Sequence, residues 1–156
     1  MIKIVKGNIL DASEDIIVQQ VNCKGVMGAG LAKAILNKYP NVKKEYQSFR
    51  NFHLNKGLTD KDLLGLVNYV RVSDVKVIAN IFGQVNIKKN RFDNTVYTKT
   101  DALTRGLKEV KELSKQLNKS VAIPYGIGCG LAGGDWNIIS ELIESIFSDY
   151  KVTIYK

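Results

Sequence analysis

The sequence predicts an α/β protein, a three-layer α/β/α sandwich built on a mixed central sheet. Three observations carry that expectation. Short apolar runs alternate with helix-period patterns along the chain, and strands that alternate with helices form a largely parallel sheet covered on both faces. Two of the runs, Leu63 to Val72 and Val75 to Phe82, are separated only by Ser73-Asp74; so short a connection joins antiparallel neighbours, which makes the sheet mixed. Two glycine-rich stretches, Val21 to Ile35 and Pro124 to Trp136, each follow an apolar strand and open into a helix, as ligand-binding turns at a sheet edge do.

The first strand is Ile2 to Val5, ended by the turn pair Gly7-Asn8. Ile9 and Leu10 lead into the polar stretch Asp11 to Asp15. Ile16-Ile17-Val18-Gln19-Gln20-Val21 then reads as a buried central strand whose late glutamines mark where it reaches a cleft. Leu31, Ala34, Ile35 and Tyr39 share one face of the helix that follows, and Tyr39-Pro40 stops it, because proline disfavours helical geometry in the residue before it. A second short helix covers Asn41 to Phe52, and Gly57 with Thr59 to Asp62 forms a loop before the hairpin. Gly83 to Asn94, rich in Asn and Lys and without periodicity, reads as an exposed, mobile loop beside the cleft. Leu103, Leu107, Val110, Leu113 and Leu117 recur at helical spacing in a long amphipathic helix that starts near Thr98 and ends at Asn118. Ser120 to Pro124 is the next strand. Asp135 stands at the N-cap of the last helix, whose buried face is Trp136, Ile139, Leu142, Ile143, Ile146 and Phe147, and Val152 to Tyr155 is the final strand.

The 156 residues, 45% hydrophobic and 24% charged, suit one domain over 1–156 with a real core. No apolar run reaches membrane-spanning length, and Met1 to Val5 enters a strand rather than a leader; a cytoplasmic location and no membrane partner are expected. Cys23 and Cys129 sit one in each glycine stretch, and His53 is the single histidine. Neither a disulfide framework nor a cysteine–histidine metal site can be assembled from them, so no metal is expected. The net charge of +8 favours an anionic partner, nucleic acid, a nucleotide or an acidic protein. Among the scattered lysines, Lys88-Lys89-Asn90-Arg91 is the better candidate for touching an anion.

The glycine stretches supply the chemistry. Gly25, Gly28 and Gly30 allow backbone conformations closed to residues with a Cβ, and they let a ligand lie against main-chain N–H groups beside the positive end of the next helix. Gly126, Gly128 and Gly130 repeat the arrangement about a hundred residues on. Two such turns facing one another across the sheet edge could enclose a diphosphate.

These residues also resemble a known family. Lys6-Gly7-Asn8-Ile9-Leu10, Gln20 to Ala32, Tyr39-Pro40, Asn80-Ile81-Phe82-Gly83-Gln84 and Ile123 to Trp136 are similar, in that order, to the macro domain. Within it the chain is most similar to the branch of phage and bacterial ADP-ribose 1''-phosphate processing proteins, the yeast phosphatase of that activity and the human terminal ADP-ribose glycohydrolase. The resemblance implies an ADP-ribose cleft at the C-terminal edge of the sheet and no cofactor. It implies that Asn8, with Ile9, meets the adenine, that Tyr155 packs on it, and that Asn22 contacts the distal ribose. The N–H groups of Gly28, Ala29, Gly30 and Leu31 and of Gly126, Ile127, Gly128, Cys129 and Gly130 would hold the diphosphate. Gln84 stands beside the expected distal ribose, either touching it or tying its loop to the sheet.

The chain departs from the family's catalytic pattern. The human hydrolase has a lysine where Gln84 stands and an aspartate where Ala132 stands, and the phage and yeast proteins have a histidine at the position of Gln19. Asp135, a cap that could also activate water, is then the candidate base, with Asn22 and Gln84 orienting the ribose. Hydrolysis of ADP-ribose 1''-phosphate to ADP-ribose and phosphate is the expected activity. The alternatives are a reader that only binds ADP-ribose, and a hydrolase that removes it from modified protein or nucleic acid.

Overall fold

The computed structural model describes all residues, 1–156. Six strands, β1 (Ile2–Val5), β2 (Ile16–Asn22), β3 (Val67–Arg71), β4 (Val77–Gln84), β5 (Val121–Pro124) and β6 (Val152–Tyr155), form one sheet in the order β1-β6-β5-β2-β4-β3. All neighbours are parallel except β3, which pairs antiparallel with β4 at the edge. The helices are α1 (Gly30–Lys38), α2 (Asn41–Asn55), α3 (Thr100–Leu117) and α4 (Trp136–Ile146). The expected sandwich is what forms. On one face Ile35, Val42 and Tyr46 of α1 and α2 pack against Ile17, Val21 and Phe82. On the other, Leu103, Leu107 and Val110 of α3 and Ile139 and Ile143 of α4 pack against Val18, Ile81 and Ile123. Each such side chain, once buried, stabilises the fold by about 1.5–3 kcal/mol before entropy is charged against it. Helix α3 comes so close to the sheet that a Cβ on Gly106 would lie 2.3 Å from Ile81 Cγ2.

From β2 the chain moves by way of α1, α2 and β3 to β4 on one side, then returns through α3 to β5 on the other side. Strand order therefore reverses around β2. In an open α/β sheet the crevice beyond the carboxyl ends of the strands at such a switch point is where ligands bind. The register there is held by a buried amide ladder. Gln19 Nε2 donates to Asn80 Oδ1 at 2.8 Å, and Asn80 Nδ2 donates to Asn68 Oδ1 at 3.1 Å, the three residues being direct cross-strand partners. A slip of one residue would turn these amides onto the opposite, apolar face, so the ladder fixes the pairing as firmly as the hydrophobic pattern does.

Several element boundaries differ from expectation. Leu63 ends a 3-10 turn, Asp60–Leu63, and β3 begins only at Val67. The reason is a capping box: the Asp62 carboxylate accepts from the Thr59 N–H at 2.8 Å and from the Thr59 hydroxyl at 3.0 Å, winding the chain before the strand can start. Gly65, at φ +87°, completes the turn. Helix α2 runs on to Asn55, beyond Phe52, and β4 extends through Gly83 and Gln84, taking the first two residues from the expected loop. Asn118 ends α3 in the left-handed conformation, as the sequence suggests.

Candidate functional site

The first glycine turn is built from below by α2. The Tyr46 hydroxyl, fully buried, accepts from the Gly25 N–H at 3.1 Å and donates to Asn22, whose main-chain carbonyl is the nearer acceptor and whose Oδ1 lies at 2.9 Å. Gln47 Nε2 donates to the Gly25 carbonyl at 2.9 Å, and Arg50 Nε donates to the Cys23 carbonyl at 2.6 Å. Arg50 is itself held by Asp60 at 3.2 Å, and Lys24 closes on the same carboxylate. Hydrogen bonding from Lys24, aided by the charge of Arg50, holds the Asp60 carboxyl below the usual range. Asn22 completes the turn from within: its Oδ1 also accepts from the Lys24 N–H at 3.0 Å, and its Nδ2 donates to the Val26 carbonyl at 2.8 Å. Beyond this turn α1 starts at Gly30 with Ala29 as N-cap and no side-chain cap, so the N–H groups of its first turn are open to an anion.

The second turn is fixed by an amide network spanning three elements. Gln20 Nε2 donates to Gln84 Oε1 and to Thr98 Oγ1, both at 2.9 Å. Thr98 Oγ1 donates to the Gly128 carbonyl at 2.6 Å, and Gln84 Nε2 donates to the Asn86 carbonyl at 2.9 Å. Gly128 is at φ +74°, and a Cβ there would lie 3.0 Å from Gln20 Oε1. Only glycine lets the loop sit down on the glutamine.

Between the turns lies a cleft of about 500 Å³, open at the carboxyl ends of β2, β4 and β5. Gly28, Ala29, Gly30 and Leu31 form one wall, and Gly126, Ile127, Gly128 and Gly130 the other. No aspartate, glutamate, histidine or cysteine lines it, and its one charged side chain is Lys88. Main-chain donors with a single ammonium make an anion receptor, and no group of three or more metal-ligating side chains is present anywhere in the chain.

Of the residues expected at the site, Asn22, Gln84 and the two glycine walls are brought together here. The polar atoms of Asn22 and Gln84 are largely engaged within the loops, although each NH₂ keeps one further hydrogen. Five expected residues lie outside the cleft lining. Asn8 caps a short 3-10 turn by accepting the Leu10 N–H at 3.0 Å, and the Ile9 side chain is buried in the core under α1 and α2. Tyr155 packs against the same core and donates its hydroxyl to Glu14 Oε1 at 2.5 Å. Cys129 turns back to the Ile127 carbonyl, and its thiol is raised by burial and by the charge of Asp135. Asp135 is the N-cap of α4, accepting the Asn137 N–H at 2.9 Å. The aromatic side chain that does line the cleft is Tyr125, one position past β5, with Trp136 packed behind it at 4.6 Å. Burial also pushes the Cys23 thiol up to about 12. Neither cysteine is a poised nucleophile.

The loop after β4 is exposed, as expected, and carries hydrogen bonds of its own. The Asp93 carboxylate accepts from the Lys89 N–H and the Thr95 N–H, each at 3.0 Å, and from the Tyr97 hydroxyl. These bonds hold its carboxyl well below the usual range. Tyr97 and Thr98 N–H both donate to the Ala132 carbonyl, at 2.8 and 3.2 Å, joining this loop to the second glycine turn.

No protein-family model matches the chain. It is 28% identical over 159 residues to the DNA ADP-ribosyl glycohydrolase of Mycobacterium tuberculosis, an alignment covering 99% of this chain and 42% of that protein. The chain therefore spans about two-fifths of the length of the curated relatives it matches. Among solved structures, the macrodomain of Mycobacterium tuberculosis DarG superposes with a TM-score of 0.79 at 26% identity, covering 99% of this chain and 97% of that one. A macrodomain protein from Streptomyces coelicolor superposes with a TM-score of 0.79 at 27% identity, covering 100% and 99%. Both superpose over essentially the whole chain, with its sheet order around β2, and on those grounds the chain has the macrodomain fold.

Proposed function

We propose that this macrodomain binds ADP-ribose in the cleft and releases it by hydrolysis from a modified macromolecule, DNA first. The observation that carries the proposal is the cleft itself: two glycine-rich walls facing each other, one ammonium, and no carboxylate to repel a diphosphate; the Ile127 and Cys129 N–H groups, bonded to the Pro124 and Gly126 carbonyls, are not among its donors. Its volume of about 500 Å³ suits a nucleotide-sized ligand. The choice of DNA is supported by likeness to relatives named as DNA ADP-ribosyl glycohydrolases. In this reading the loops grip the diphosphate and fix the distal ribose, so that water adds at its anomeric carbon as the bond to the carrier breaks. Lys88, the one charged side chain of the lining, gives a proton to the departing group and is restored by the proton that the added water sheds through solvent.

A second reading, a binder without turnover, is favoured by the absence of any carboxylate or imidazole among the cleft-lining residues. One experiment separates the two. Calorimetric titration with ADP-ribose is followed by release assays on an ADP-ribosylated DNA oligonucleotide and on ADP-ribose 1''-phosphate. Binding with release from the oligonucleotide supports the proposal, and release of phosphate alone would make the protein a phosphatase. Binding without either makes it a reader, and no binding removes ADP-ribose as the ligand.

A further inference from the structure

We infer that the loop from Ile87 to Phe92 is a docking surface for single-stranded nucleic acid, placed to hold the strand whose ADP-ribosyl group occupies the cleft. The inference rests on the reading of the cleft given above. Ile87 and Lys88 line the cleft, so the loop continues its wall outward. Lys88, Lys89 and Arg91 form no ion pair with any carboxylate of the protein. The loop's own acid, Asp93, is committed to the Lys89 and Thr95 N–H groups and the Tyr97 hydroxyl. Three cations against this one carboxylate leave the loop locally positive, with no ion pair tying up any of the three, in a chain of net charge +8.

Beside them Phe92 is 75% exposed, with the Arg91 guanidinium 4.8 Å from its ring centroid. A ring held in water next to a planar cation offers two faces for stacking, and a nucleotide supplies both a flat base and a phosphate at the right spacing. An acidic peptide would satisfy the cations but leave the ring bare. The Asp93 hydrogen bonds hold the platform in shape before a ligand arrives, so little ordering cost falls on binding. A strand leaving the cleft past Lys88 would set its phosphates against Lys89 and Arg91 and one base on Phe92.

The test measures two affinities separately, for a fluorescein-labelled unmodified DNA 12-mer by anisotropy and for ADP-ribose by calorimetry. Phe92→Ala should weaken oligonucleotide binding about tenfold. The double variant Lys89→Gln/Arg91→Gln should lower the slope of log affinity against log salt by about 1.4, which is about 0.7 for each phosphate no longer neutralised. Both variants should bind ADP-ribose as the parent does. Oligonucleotide binding that ignores all three substitutions would overturn the inference, as would wild-type protein that binds ADP-ribose but no oligonucleotide at low salt. Equal affinity for poly-glutamate of matched charge would assign the surface to acidic protein and also overturn it. Phe92-dependent oligonucleotide binding without ADP-ribose binding would uphold the surface and remove the cleft reading.

Discussion

The hydroxyl of Tyr46 lies 2.9 Å from Oδ1 of Asn22, joining the middle of α2 to the last residue of β2 underneath the first glycine turn. Tyr46→Phe keeps the ring in its pocket but leaves the Gly25 N–H without its acceptor and the Asn22 carbonyl without this donor, while Asn22 Oδ1 keeps the Lys24 N–H. The expected cost is about 1–3 kcal/mol, since a buried donor goes unsatisfied. Urea unfolding should show it, and calorimetry should show weaker ADP-ribose binding because the turn is less well held. Full stability in the variant would mean that water replaces the hydroxyl.

The two walls can be probed with a carboxylate that repels the diphosphate. Gly130 lines the cleft and a Cβ there meets nothing within 4 Å, so Gly130→Glu should fold normally and lose ADP-ribose binding. Gly128→Glu should lose binding too, but at a cost. Its φ of +74° and the approach to Gln20 and Thr98 add about 1–2 kcal/mol of destabilisation. Matched thermal melts and titrations of the two variants separate the effects.

Asp135 and Lys88 exchange places between the sequence reading and the geometry. Asp135→Ala should cost about 1 kcal/mol for the lost helix cap, whereas Asp135→Asn, which caps as well, should retain both stability and release of ADP-ribose from DNA. Lys88→Gln should leave stability alone and slow release at least about tenfold. Fast turnover in Lys88→Gln combined with slow turnover in Asp135→Asn would restore the aspartate as the catalytic group.

Acid should weaken the brace under the first turn. The Asp60 carboxyl is held below its ordinary value by Lys24 and Arg50. Its contribution is fully present above the unfolded value of about 3.9 and is lost as pH falls through the lower folded value. Asp60→Asn should flatten the acid limb of a stability–pH profile, and an unchanged limb would mean that the pair contributes nothing.

Thiol reactivity reports on the same turn. Cys23 is buried and its thiol is pushed up to about 12, so iodoacetamide at pH 8 should leave it untouched in the native protein. Cys129, only partly buried, should react slowly, and Cys23 should follow at the rate at which the protein opens.

Much of the fold was legible because its signals are local. Alternating apolar runs, Tyr39-Pro40, Asn118 and the Asp135 cap each mark an element without help from the rest of the chain. The run from Leu63 misleads because apolar periodicity does not distinguish a 3-10 turn from a strand. Thr59-x-x-Asp62 was the available signal of a capped turn. The site was legible where it is made of glycine, and less so where it depends on side-chain direction. At the ends of adjacent parallel strands it is Tyr125, and not Tyr155, that reaches the cleft, a matter of which way each strand end points. The brace from Tyr46, Gln47 and Arg50 looks like an ordinary polar helix face, since its partners are main-chain atoms that a sequence does not display. Lys88 was singled out by charge alone; that it lines the cleft depends on the path of the loop after β4, which no local signal displays.

Helix α2 holds the first turn by its carbonyls and amides, so the receptor is written in backbone and not in side-chain identity. In a saturation-mutagenesis library selected for ADP-ribose binding, Ala29 and Leu31 should accept many replacements. Intolerance should concentrate at Gly25 and Gly128 and at Tyr46 and Arg50. The positions most sensitive to mutation would then lie behind the wall that touches the ligand, and the surface against the ligand would be the part most free to vary.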